Sequence, residues 1–265
     1  MKNNGITEYF EEVETEEEYN GYFCRIPEII TIAILGSMCG LKNVSQIHQW
    51  ASNDRVSEFL REKFGINHVP CYYWILCMLK MIKTETLNRC FANWVYSFMP
   101  ENAKDMTISL DGKTICSTNR IEKIESPLHI ISAQISELGL TLAQCSTDDK
   151  SNEIPAVQEL LKTLNIKGHV VVADALNCQK ETASIIVKQK ADYLLCVKDN
   201  HPVLKKDIED YVQDSMLQNT MSFISKTEKN YGRIETRTAY VTSQIEWLEQ
   251  RKEWKEISFC TEVLR

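Results

Sequence analysis

Two aspartates stand where a chain would be leaving a buried strand. Asp111 follows the strand-like run of "TISLDGKTI", and Asp174 follows that of "HVVVADALNCQK". Each has an ordinary local reading. Asp-Gly favours a tight hairpin turn, and Asp174 could cap a helix beginning near Cys178. Taken together, they also admit a chemical reading. If their strands are neighbours, both carboxylates share one sheet edge, which is where α/β folds place ligands. Like charges at that distance repel unless a cation bridges them. Hard oxygen ligands with no His or Cys close by suit Mg²⁺ or Mn²⁺. Two such ions on shared carboxylates can clamp the attacking and leaving oxygens of a phosphodiester. Phosphoryl transfer on nucleic acid is therefore the candidate chemistry.

The surrounding pattern offers elements that could position this pair. "MTISL", "HIISAQIS" and "LTLAQCST" read as strands. After them come a helix at "IPAVQELLKTL", a strand at "HVVVA", a helix at "CQKETASIIVKQK", a strand at "DYLLCVK" and a helix at "VLKKDIEDYVQD". That order predicts a mixed sheet, an antiparallel meander continued by parallel strands with crossover helices. "MSFISKTEKNYGRIETRTAYV" reads as two alternating strands turning at "NYGR". Before the sheet, residues 21–100 read as short helices with Pro27 and Pro70 at starts, Gly40 and Gly65 at stops, and Asn43 with Gln46 as a capping box. Residues 1–20 read as a solvated acidic tail, because like charges repel and little there could build a core.

Composition narrows the class. The chain has 265 residues, 43% hydrophobic and 25% charged, which is the profile of a globular protein rather than a disordered one. Its longest apolar run, "IITIAILGSMCGL", is too short to span a bilayer. The acidic N-terminus has no apolar signal segment, so the cytoplasm is the expected compartment and no membrane partner is expected. None of the ten cysteines forms a C-x-x-C pair. Most lie in apolar runs, such as Cys196 in "YLLCVK", and read as reduced, buried residues. The net charge of −7 argues against a nucleic-acid partner at first sight, but seven acids fall within the first eighteen residues.

Five stretches, "LDGKT", "LHIISA", "DDKSNEIPAVQELL", "GHVVVADALNCQKE" and "ADYLLCVKDNHPVL", are similar in order and spacing to bacterial insertion-sequence transposases of the H-repeat-associated group. "YFCRIPEIITIAILGSMCGLKNVSQI" resembles that group's associated helical domain. The resemblance covers roughly residues 20 to 240. It implies a ribonuclease H-like α/β fold and a DDE triad, two Asp and one Glu, binding Mg²⁺ or Mn²⁺. The implied function is DNA transposition by end cleavage and strand transfer, with double-stranded transposon ends as partner and a homodimer on DNA. Asp111 and Asp174 match the first two catalytic, metal-binding positions.

Two departures accompany the match. Cys116 stands where the family usually has Arg, and the family's Glu-bearing late helix, with a pattern like H-W-x-I-E-N, has no counterpart before "FCTEVLR". Glu235, in "YGRIETR", is the remaining candidate for a third carboxylate. The chain therefore resembles a transposase shortened at its C-terminus, with impaired cleavage expected. The alternative is an inactive DNA-binding remnant or a regulator of a full-length transposase. Lys113, Lys150 and Lys198 are candidates for DNA phosphate contacts. His129 reads as a packed strand residue, and Glu153 as part of a helix start that the family motif brings near the site. The expected organisation is an acidic tail (1–20), a helical domain (21–100), an incomplete catalytic domain (104–215) and a β-rich segment (216–265).

Overall fold

A computed structural model describes residues 5–17, 24–99, 105–115, 128–147, 152–230 and 233–264. The chain divides into two compact units, Met1–Ala103 with Gly139–Cys145, and Lys104–Leu138 with Ser146–Arg265.

The first unit is built on helices α1 (Ile26–Met38), α2 (Val44–Ala51), α3 (Asp54–Phe64), α4 (Tyr72–Met81) and α5 (Thr84–Tyr96). Their ends follow local chemistry. The Asn43 side chain accepts the Gln46 amide proton at 2.9 Å, while the Gln46 side chain accepts from Lys42 N. Gly65 closes α3 in the left-handed region, at φ 69°. Ile32, Ile47, Ala51, Leu60 and Ile66 form one buried cluster.

The acidic N-terminal segment departs from the solvated tail expected for it. Ile6–Phe10 form a 3-10 turn, and Phe10 and Val13 are buried with Ile30 and Cys90. The neighbouring acids find cations on the same unit: Glu11 meets Arg25 at 2.9 Å and Glu14 meets Lys83 at 2.9 Å. Pairing relieves the like-charge repulsion that the sequence suggested, and two apolar residues among the acids anchor the segment.

The second unit carries a mixed sheet, apart from most of one strand, Leu140–Thr147, whose residues 140–145 group with the first unit. β1 (Thr107–Ile115), β2 (Leu128–Ile135), β3 (Leu140–Thr147), β4 (Val170–Ala173) and β5 (Asp192–Leu195) form a five-stranded sheet in the order β3-β2-β1-β4-β5. β1 and β2 run antiparallel, whereas β1, β4 and β5 run parallel. Helix α6 (Glu153–Thr163) packs on β2 and on α7 (Lys180–Lys188). This mixed sheet with crossover helices is ribonuclease H-like. Ile108, Leu110, Ile131, Val171 and Ala173 point into its buried face. α8 (Pro202–Gln213) and the short α9 (Ser215–Gln218) lead to a separate sheet of β6 (Ser222–Asn230), β7 (Arg233–Thr242) and β8 (Cys260–Leu264), in the order β6-β7-β8. The alternating pattern announced β6 and β7, but β8 was not anticipated.

β1 does not turn at Asp111-Gly112. It runs on to Ile115, with Asp111 opposite Ser132 and Gly112 opposite Ile131 on β2. A long partner strand holds the backbone extended where a free Asp-Gly would turn. Among the described residues, no helix is long and apolar enough to cross a membrane.

Candidate active site

The two aspartates each follow the last pair of the parallel ladder between β1 and β4, Asp111 within β1 and Asp174 just past the end of β4. Leu110 of β1 and Ala173 of β4 are partners in the parallel ladder, and Asp111 and Asp174 are the next residue in each chain. Both are exposed just past the point where the parallel pairing ends, while the residues just before them are buried. Lys113, two residues on and therefore on the same face as Asp111, brings its Nζ to 3.3 Å from Asp111 Oδ2.

Asp174 caps no helix. The residue preceding α7 is Gln179, whose side chain makes no capping bond. Instead Asp174 Oδ1 accepts from the backbone N of Asn177 at 3.3 Å and from its Nδ2 at 3.1 Å. A local Asp-x-x-Asn turn thus shapes the loop after β4. The same loop is tied from the far side. Asn200 Nδ2 donates to the Ala175 carbonyl at 2.6 Å, and His201 Nε2 donates to the Cys178 carbonyl at 2.7 Å. Lys198 donates its backbone N to Asn200 Oδ1 at 3.1 Å, so it stands on the loop that clamps the Asp174 turn. Burial, with Cys196 nearby, pushes the Cys178 thiol up to about 12, which leaves it a protonated packing group rather than a nucleophile. Cys196 itself is exposed, against the burial expected for it, because β5 ends at Leu195.

Beneath the aspartates lies a buried polar chain that sequence reading missed as a unit. Asn177 Nδ2 donates to Glu153 Oε1 at 2.8 Å, His129 Nε2 lies 2.8 Å from Glu153 Oε2, and Thr114 Oγ1 lies 3.0 Å from His129 Nδ1. Glu153, His129 and Asn177 are 3%, 4% and 2% exposed, so the first residue of α6 is an interior acid and not solvated helix-start chemistry. Gly112 makes room for it. A Cβ there would fall 2.8 Å from His129 Nε2 and 3.0 Å from Glu153 Oε1. His129 is a packed residue of β2, as read. The only local signal for the rest was the placement of Asn three residues after Asp174.

The other sequence candidates fall elsewhere. Glu235 is on β7 in the separate sheet, opposite Glu228 and 2.8 Å from Arg237 Nη2. Lys150 and Cys116 lie outside the described residues. Among the described residues, no three His, Cys, Asp or Glu side chains gather as a metal-binding group.

Comparison with known proteins gives this arrangement its relatives. Residues 7–95 match a family described as DDE_Tnp_1-associated, and residues 128–254 match the Transposase DDE domain. The H repeat-associated putative transposase YbfD of Escherichia coli K12 is 31% identical over 80% of this chain and 84% of its own length. The chain belongs to the H repeat-associated group of DDE transposases. A second such relative from the same organism, YhhI, is 31% identical over 87% of this chain, and the putative protein YbfL is 32% identical over the same share. The chain spans about three fifths of the length of these two relatives, 61% in each case. The DDE-domain match takes in Asp174, Glu153 and His129, whereas Asp111 lies before its first residue. The match to the associated domain begins at residue 7 and so takes in Thr7–Phe10 of the N-terminal turn, including buried Phe10.

Proposed function

We propose that this transposase-family chain cleaves DNA at transposon ends and transfers the freed 3′-hydroxyl to a target strand, using Mg²⁺ or Mn²⁺ held by Asp111 and Asp174. The observation that supports the reading is the register of β1 and β4, which sets Asp111 and Asp174 each one residue beyond the paired Leu110 and Ala173. The donor chemistry fits a hard divalent ion: two exposed carboxylates, which offer oxygen ligands of the kind Mg²⁺ and Mn²⁺ take. When bound, such an ion supplies Lewis-acid stabilisation of charge on the phosphate.

The chain's own groups supply position and charge. Asn177 holds one oxygen of Asp174, which limits how that carboxylate can turn. Lys113 is 81% exposed beside Asp111, free to swing toward a DNA phosphate, and Lys198 stands on the loop bracing the Asp174 turn. Such reactions depend on geometry and electrostatics more than on covalent chemistry from the protein. The helical region of the first unit is proposed to hold element ends, with a homodimer on DNA and the cytoplasm as the setting.

One observation favours a second reading. No third acidic residue joins the pair among the described residues, which suits a chain that binds element ends, or regulates a full-length transposase, without cutting. An end-cleavage assay with Mn²⁺ on duplex DNA carrying the element ends separates the two. Cleavage by the wild type that is lost in Asp111→Asn and in Asp174→Asn supports the first. Salt-dependent binding with no cleavage supports the second.

A further inference from the structure

The Asn177 amide joins two carboxylates of opposite character. One of its Nδ2 contacts is exposed Asp174, and the other is buried Glu153. Turning the amide over would set its oxygen against both carboxylates, so the orientation has one stable sense. That orientation leaves Asn177 Oδ1 buried with no hydrogen-bond partner. A fold seeking only internal satisfaction would not keep an orphaned acceptor there. The amide instead stays where it grips Asp174. Glu153 is itself fixed through its other oxygen by His129, which leans on Thr114. Gly112, lying under the pair, is the position at which any side chain would push this support apart.

We infer that Glu153 and Asn177 are positioning residues for the metal ligand Asp174: buried Glu153 locks the Asn177 amide, and the amide, through Asp174 Oδ1, limits how that carboxylate can turn. This rests on the metal-site reading above. Outer partners of metal ligands commonly change metal affinity by about 10- to 100-fold when removed, and that range sets the expected size of the effect.

The test is Mn²⁺ titration of the full chain by calorimetry in the absence of DNA, with thermal melting of each metal-free variant measured alongside. Asn177→Ala leaves the Glu153–His129 pair intact and should weaken Mn²⁺ affinity by about tenfold or more, at a temperature where the variant remains folded. Glu153→Gln keeps an oxygen for the Asn177 amide and should retain affinity within about threefold, since the outer partner is replaced rather than removed. Glu153→Ala should behave like Asn177→Ala or fail to fold, and in the latter case Asn177→Ala decides. Wild-type affinity in Asn177→Ala, with affinity lost in Asp174→Asn, overturns the positioning role and leaves the metal site standing. No Mn²⁺ binding by the wild type, or unchanged binding in Asp174→Asn, overturns the metal site and the positioning role with it.

Discussion

His129 Nε2 stands 2.8 Å from Glu153 Oε2, and both side chains are almost fully buried. The ring's other nitrogen, Nδ1, lies 3.0 Å from the Thr114 hydroxyl, so His129 links the Glu153 carboxyl to β1. The pair sits under the site, and its integrity should govern the stability of the sheet around β1, β2 and α6.

Removing one partner of a buried pair leaves an uncompensated group in a low-dielectric interior. His129→Leu should therefore lower unfolding stability by about 3–5 kcal/mol, read as a lower denaturation midpoint in urea. A loss below about 1 kcal/mol would mean that Glu153 finds another partner or needs none.

Gly112→Ala should destabilise by about 1–3 kcal/mol through overpacking, since the added Cβ would meet the His129 ring at 2.8 Å and the Glu153 carboxyl at 3.0 Å. The cost should shrink in a His129→Ala background, where the space is free, giving a clear coupling in a double-mutant cycle of thermal unfolding. Additive effects would contradict the close approach.

Both oxygens of Glu137 accept the Thr107 backbone N at the start of β1, at 2.8 and 2.9 Å. Hydrogen bonding from the Thr107 side chain, with the backbone N–H groups of Glu137 and Thr107 adding to it, holds the Glu137 carboxyl below the usual range. A depressed folded-state value contributes stability that is present above the unfolded value, near pH 4.3 to 4.5, and is lost as pH falls through the folded one. Glu137→Gln should flatten the acid limb of the stability curve below about pH 4.5. An unchanged acid limb would count against the bond in solution.

Phe10 is fully buried, so Phe10→Ala should cost about 3–5 kcal/mol in unfolding free energy. A change within about 0.5 kcal/mol, typical of a surface site, would restore the solvated-tail reading.

The sheet was legible because period-two alternation survives in "MTISL" and "HIISAQIS", and the short apolar run of "HVVVA" marks a strand covered on both faces. The adjacency of Asp111 and Asp174 followed from the strand order. Charge density concealed Phe10: seven acids in eighteen residues hide two buried apolar positions from any compositional reading. Asp-Gly at 111–112 spoke for a turn, and only the partner strand β2 overrides it. The polar chain was invisible for a different reason. Thr114, His129, Glu153 and Asn177 meet across three elements and a loop, with 24 residues separating His129 from Glu153 and again Glu153 from Asn177. No local pattern encodes contacts at that distance, and each residue taken singly has an ordinary explanation.

The most direct test of the central claim, that Asp111 and Asp174 hold one divalent ion between them, is an anomalous difference map from crystals of the protein soaked in Mn²⁺. The account predicts a peak where the parallel pairing of β1 and β4 ends, with a carboxylate oxygen of each aspartate at roughly the 2.0–2.1 Å typical of small hard cations. A well-occupied ion elsewhere, or one held by a single aspartate while the other stays bound to Lys113 or Asn177 alone, would contradict it.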